Sequence, residues 1–182
     1  MILRVEPDVL GLMNRIDVGY DDEVSDWARH NPDALTGIIA ASTAACLIET
    51  GRDDGTIRYG LGVLFGSNEA IAALNSEWRG KPAPTNVLSW PGDVDGGAAQ
   101  ASPDGSVHLG DLAFALGVVE HEARERGVSV PDHLAVLAVH GVMHCLGFDH
   151  PTTEDAREME AAEARALCRI GRPDPYAGTE PE

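Results

Sequence analysis

The run AVLAVHGVMHCLGFDH, Ala135 to His150, reads as a helix that stops and doubles back. Pro131, upstream, suits a first helical turn, where its missing N–H costs little. Gly147 can adopt the positive φ at which a helix ends and the chain turns sharply. His140 and His144 are four residues apart, so they lie on one face, one turn from each other. A turn at Gly147 swings His150 back toward them. The fold therefore has to hold a helix end and the turn after it side by side, with three imidazoles between.

The rest of the chain mixes strands and helices without strict alternation. Ile2 to Glu6 reads as a strand, and the acidic, weakly patterned stretch at about 11–32 (VGYDDEVSDWARHNPD) as an irregular insertion. Asp33 to Thr50 is Ala- and Leu-rich and predicts a helix that Gly51 can stop. Ile57 to Phe65 predicts a strand weakened by Gly60 and Gly62. Its glycines do not fit GxGxxG and sit inside the strand, which argues against a dinucleotide loop. Ser67 caps a helix to Trp78 whose Ile71, Leu74 and Trp78 share a face. Gly80 to Pro84 breaks it. Short strands follow at Val87 to Trp90 and Val107 to Leu116, separated by the irregular PGDVDGGAAQASPDG. Helices run to about Arg126, from about Pro131, and from Thr153 to Ile170. With 182 residues the chain can bury one core and is short for two. The expectation is one α+β domain over residues 1–176, a small mixed sheet with helices packed on it, and a poorly ordered tail at 177–182.

Charge narrows the function. Lys plus Arg is 13 against 30 for Asp plus Glu, a net charge of −17, and Lys81 is the only lysine. Such a field opposes non-specific nucleic-acid binding, so a polyanionic substrate needs a local cluster of cations. No apolar run is long enough for a membrane span, and the N-terminus lacks the pattern of a signal peptide. Cys46, Cys145 and Cys168 are odd in number and irregular in spacing, which fits a reducing cytoplasm rather than a disulfide framework.

Three histidines meeting at one point offer three nitrogen ligands and leave a fourth position for water, the arrangement of a catalytic zinc site. Cys145 lies about 100° round the helix from His144 and reads as core. His30, His108, His121 and His133 have no comparable spacing. Asp149 suits either an orienting acceptor or an ordinary turn residue. The histidines and glycine have the spacing of the metalloprotease pattern HExxHxxGxxH, but Gly141 stands where the glutamate base would be. Peptide hydrolysis is therefore disfavoured, while other hydrolysis is not. Elsewhere Arg79 and Lys81 precede a proline-stiffened loop in a chain with few cations. Guanidinium suits bidentate phosphate recognition, although a cation at a helix C-terminus needs no ligand to explain it.

Both stretches resemble the YbeY family of metal-dependent endoribonucleases. WRGKPAPTNVLSWP is similar to that family's arginine-glycine segment followed by TNVLSFP, and HGVMHCLGFDH to its HGxLHLxGYDH. HLGDLAFAL, EMEAAE and DPY resemble its LGDI strand, C-terminal helix and tail. The likeness covers about Leu61 to Tyr176, with no counterpart evident for Asp21 to Asp26. It implies a cytoplasmic, single-strand-specific endoribonuclease acting in ribosomal RNA maturation, at the small-subunit 3′ end, and in ribosome quality control. It also implies one zinc ion on His140, His144 and His150, catalytic roles for Arg79 and His140, and substrate contacts from Arg79 and Lys81. Single-stranded RNA and the small ribosomal subunit are the implied partners. The competing readings are a non-catalytic, metal-binding ribosome assembly factor and a zinc peptidase-like hydrolase.

Overall fold

The structure, a computed structural model, describes residues 5–22, 25–53, 55–92 and 105–177. Four strands form one mixed sheet in the order β1-β2-β4-β3, from β1 (Ile16–Asp22), β2 (Arg58–Gly66), β3 (Val87–Pro91) and β4 (Ser106–Ala115). β1, β2 and β4 run parallel, and β3 is antiparallel to β4 at the edge. The helices are α1 (Pro7–Met13), α2 (Pro32–Glu49), α3 (Asn68–Arg79), α4 (Leu116–Arg126), α5 (Val130–Cys145) and α6 (Thr153–Arg169). A single α+β domain with a small mixed sheet is what the patterning implied.

The helices divide between the two faces of the sheet. α2 and α5 lie against one face, with α6 packed on both. Leu61, Val63, Phe65, Leu112 and Phe114 point from the strands into that main core and are buried with Leu35, Ile39, Leu134, Ala138 and Val142. α2 is rich in small residues, and Ala41 to Cys46 are all buried, which suits a helix enclosed by neighbours on several sides. α3 takes the other face: Ile71 seals against Leu88, Ala113 and Ala115, with Leu74 and Trp90 at the margin. Ser67 caps α3 by accepting from the Ala70 N–H, a contact of about 1 kcal/mol in helix caps generally.

The amino-terminal third departs from its sequence reading. The strand expected at Ile2 to Glu6 lies mostly outside the described residues, and Val5 and Glu6 belong to no strand. The stretch taken as an irregular insertion instead carries the end of α1, all of β1 and a 3₁₀ turn at Ser25–His30. Edge strand β1 hides its pattern because its partner is on one side only, and Asp17 and Tyr20 face solvent. Trp27 is the anchor: fully buried, it packs on Phe65 at 4.7 Å and donates from Nε1 to the Gly66 carbonyl. The irregular run expected after Pro91 and the tail beyond Ala177 lie outside the described residues.

Candidate metal centre

α5 ends as the glycine implied. Gly147 has φ +87°, its N–H donates to the His144 carbonyl, and the Phe148 N–H donates to the Met143 carbonyl. This pair of bonds closes the helix with a left-handed residue. The same turn sends the Phe148 carbonyl back to His144, where it accepts from Nδ1 at 2.9 Å. His150 arrives beside the other two rings, with centroids 5.9 Å from His140 and 5.3 Å from His144. One nitrogen from each histidine lies within 4.8 Å of the other two.

The Nδ1 partners of two rings decide which nitrogens the cluster offers. A carbonyl oxygen only accepts, so His144 carries its proton on Nδ1 and presents a bare lone pair at Nε2. His140 Nδ1 lies 2.8 Å from Glu163 Oε1 and donates to that carboxylate, which bares its own Nε2. The two Nε2 atoms are 3.2 Å apart. Two lone pairs at that distance repel unless a cation lies between them. Ligand nitrogens about 2.0–2.1 Å from a tetrahedral zinc are roughly 3.3 Å from each other, so the spacing fits such an ion. Burial, and then the neighbouring His140, hold the His144 imidazole below the ordinary histidine range. That keeps it neutral, as a ligand must be.

Glu163 is the residue the sequence reading missed. It is 2% exposed, and its second oxygen accepts from the Tyr176 hydroxyl. Burial and the Glu163 charge push the Tyr176 phenol well above its usual range, so it stays a donor. Tyr176, Glu163 and His140 thus form a relay that fixes the orientation of one imidazole of the cluster. A sequence signal existed: Glu163 interrupts the apolar stripe of Met159, Ala162, Ala166 and Leu167 on α6. A carboxylate on a buried stripe calls for a partner. A cavity of about 150 Å³ opens here, lined by His140, His150 and Tyr176 together with Glu160 and Glu163.

The other readings sort out by position. Cys145 is buried, its Sγ faces the Trp90 carbonyl at 3.7 Å, and burial followed by the Asp111 charge pushes its thiol up to about 12. It is a core residue, as its place on the helix implied. Asp149 Oδ1 accepts from the His150 N–H, a turn contact rather than support for a ring. His30 pairs with Glu120 and His133 with Glu122, while His108 and His121 lie beside Asp111 and Glu125. Gly141 has a packing reason: a Cβ there would meet Leu112 Cδ2 at 2.7 Å. Any side chain at 141 has to displace the buried Leu112 of β4.

Arg79 and Lys81 are exposed at the C-terminal end of α3. Asn75 secures their loop by donating from Nδ2 to the Ala83 carbonyl at 2.8 Å. They do not touch the histidines directly. The link is a chain of contacts: Trp78, next to Arg79, packs edge-on against Trp90 at 6.3 Å, and the Trp90 carbonyl meets Cys145, next to His144. The segments that carry the cations and the histidines thus meet through Trp90 of β3, with α3 and α5 on opposite faces of the sheet.

Residues 19–171 match the family described as Endoribonuclease YbeY. The chain belongs to the YbeY family. A protein of Jannaschia sp. named Endoribonuclease YbeY is 43% identical over 78% of this chain and 90% of its own. One from Maricaulis maris with the same name is 37% identical over 93% and 96%. A third, from Rhodopseudomonas palustris, is 42% identical over 87% and 80%. The YbeY match begins inside β1. Among the described residues no helix is long and apolar enough to cross a membrane.

Proposed function

We propose that this chain is a zinc-dependent, single-strand-specific endoribonuclease that acts in the cytoplasm on ribosomal RNA, at the 3′ end of the small-subunit species, and in ribosome quality control. The observation that carries the reading is the pair of bare Nε2 atoms 3.2 Å apart, in a chain whose relatives are named endoribonucleases. His140, His144 and His150 would hold one zinc ion per chain, which supplies Lewis acidity toward water or a phosphoryl oxygen. Glu163 and Phe148 orient two of the rings through their Nδ1 protons. Glu160, on the cavity wall beside His140 and His150, supplies a carboxylate to take a proton from the attacking group. Arg79 and Lys81 bind phosphate oxygens, and Arg79 stabilises the charge that builds on them during cleavage.

A ribosome assembly factor with a purely structural metal is the competing reading. Structural zinc normally has four protein ligands. Among the described residues the donor cluster holds three and opens on a cavity, which favours the enzyme. The test combines metal analysis with cleavage of a labelled single-stranded RNA. We expect one zinc per chain, zinc-dependent cleavage, and loss of both when His140, His144 and His150 are changed to alanine. Full metal occupancy in that triple variant, or cleavage that persists without metal, would sink the proposal.

A further inference from the structure

We infer that the open face of the sheet beside α3 is a nucleobase-stacking groove, which holds the bases of a single strand while its phosphates stay outside. This rests on the RNA-cleaving reading above and deepens it. The groove is about 810 Å³ and is lined by Gly62, Leu74, Trp78, Trp90 and Asp111, among others. α3 covers only part of this sheet face, and the groove is what it leaves open. Trp78 is 63% exposed, unusual for so large an apolar side chain, and half-buried Trp90 holds it edge-on at 6.3 Å. The indole therefore projects from a braced position with a face free for stacking. The Trp90 carbonyl, which meets Cys145 Sγ at 3.7 Å, ties the groove's edge strand to the helix that carries His140 and His144.

The charges set the orientation of the strand. Asp111 places its carboxylate over Gly62 of β2, in the space a Cβ there would take. Its carboxylate is 58% exposed, with His108 Nε2 3.4 Å away. A carboxylate in the groove repels phosphate, yet it accepts from the N–H edge of any base. The cations, Arg79 and Lys81, are at the helix end next to Trp78. Bases thus turn inward onto indole and carboxylate, and phosphates turn outward to Arg79 and Lys81. A duplex cannot use such a surface, because its bases are already paired and stacked. Stacking also answers how a chain of net charge −17 binds RNA: the affinity comes from the bases more than from the backbone.

The test is a titration of the full-length protein, stripped of metal by chelation so that nothing is cut, with a short single-stranded RNA. Intrinsic tryptophan fluorescence is the readout. We expect quenching on binding, an affinity lowered about 10-fold or more by Trp78→Ala, and near-normal affinity for Trp78→Phe. A strand of the same length with abasic sites should bind much more weakly. The logarithm of affinity should fall with the logarithm of salt at a slope of about −1.4, two phosphates' worth for a single strand. Equal affinity for Trp78→Ala and the parent, equal binding of the abasic strand, a slope several times steeper, or no binding by the parent would each overturn the groove. Unchanged RNA affinity with Trp78→Ala would leave the exposed indole to a protein contact. Because no metal is present, failure here is distinct from failure of the cleavage reading, which the metal-loaded assay decides.

Discussion

The hydroxyl of Tyr176 donates to Glu163, the carboxylate that also accepts from His140 Nδ1. The last described turn of the chain is thereby coupled to the His140 ring through one buried side chain. Acceptors of this kind fix the tautomer and raise the basicity of the ligand.

Loss of that support should appear in metal affinity before anything else. Glu163→Ala is expected to weaken zinc binding by about 10–100-fold, and Tyr176→Phe by less. Competition against a chelator of known affinity measures both. Tyr176→Phe keeps the ring and removes only the donor, so it separates the relay from packing. Unchanged zinc affinity in both variants would show that the relay is structural.

Acid should loosen the joint between α2 and α6. Glu49 accepts from Arg165 Nε at 2.8 Å and also from Arg169, which reaches Glu6 as well. Burial would raise the Glu49 carboxyl, but the hydrogen bonds from Arg169 and Arg165 outweigh it and hold it below its ordinary value of 4.5. A carboxylate with a depressed folded value adds stability above its unfolded value and loses it as pH falls through the folded one. Glu49→Gln should therefore cost about 2 kcal/mol at pH near 7, the scale of hydrogen bonds to a charged group. That difference should shrink as pH falls below 4.5. Denaturant melts of both proteins at neutral and at acid pH provide the check, and a gap that does not narrow in acid refutes the assignment.

Gly141 separates packing from peptidase chemistry. Gly141→Ala places a Cβ against Leu112 Cδ2, and overpacking of this kind costs about 1–3 kcal/mol. Gly141→Glu completes the metalloprotease spacing on paper, but should destabilise the fold further and confer no peptide cleavage. Thermal melts and a casein digest test the two halves. Zinc-dependent casein turnover by the parent protein, abolished by His144→Ala, would contradict the reading of this site.

The histidine cluster was legible in the sequence because its geometry is local. Two histidines at helical spacing and a glycine stop need no knowledge of the rest of the fold, and Gly147 adopts the positive φ they require. What lay outside local reach was missed. Glu163 meets His140 only because α6 packs on α5, and Tyr176 meets Glu163 only because the chain returns after α6. β1 was unreadable for a related reason. Its pairing is with β2, far along the chain, and its sequence carries acidic residues that look like loop. Gly62 and Gly141 read as weak points in a strand and a missing base, yet each marks a close approach that only tertiary structure reveals.

Arg79 remains the sharpest test of the proposed chemistry, since its place at the end of α3 suits two roles. If it grips the scissile phosphate, Arg79→Ala should keep fold and zinc content while lowering single-turnover cleavage of labelled RNA by about 10²–10³. Arg79→Lys should rescue little, because an ammonium cannot reproduce the planar two-donor fork. If it serves only the helix end, Arg79→Ala should cost about 0.3–1 kcal/mol of stability, leave cleavage near normal, and be repaired by lysine. Thermal melting beside the cleavage rate separates the two outcomes. Normal cleavage by Arg79→Ala would remove Arg79 from the catalytic machinery and leave the histidine centre to act alone.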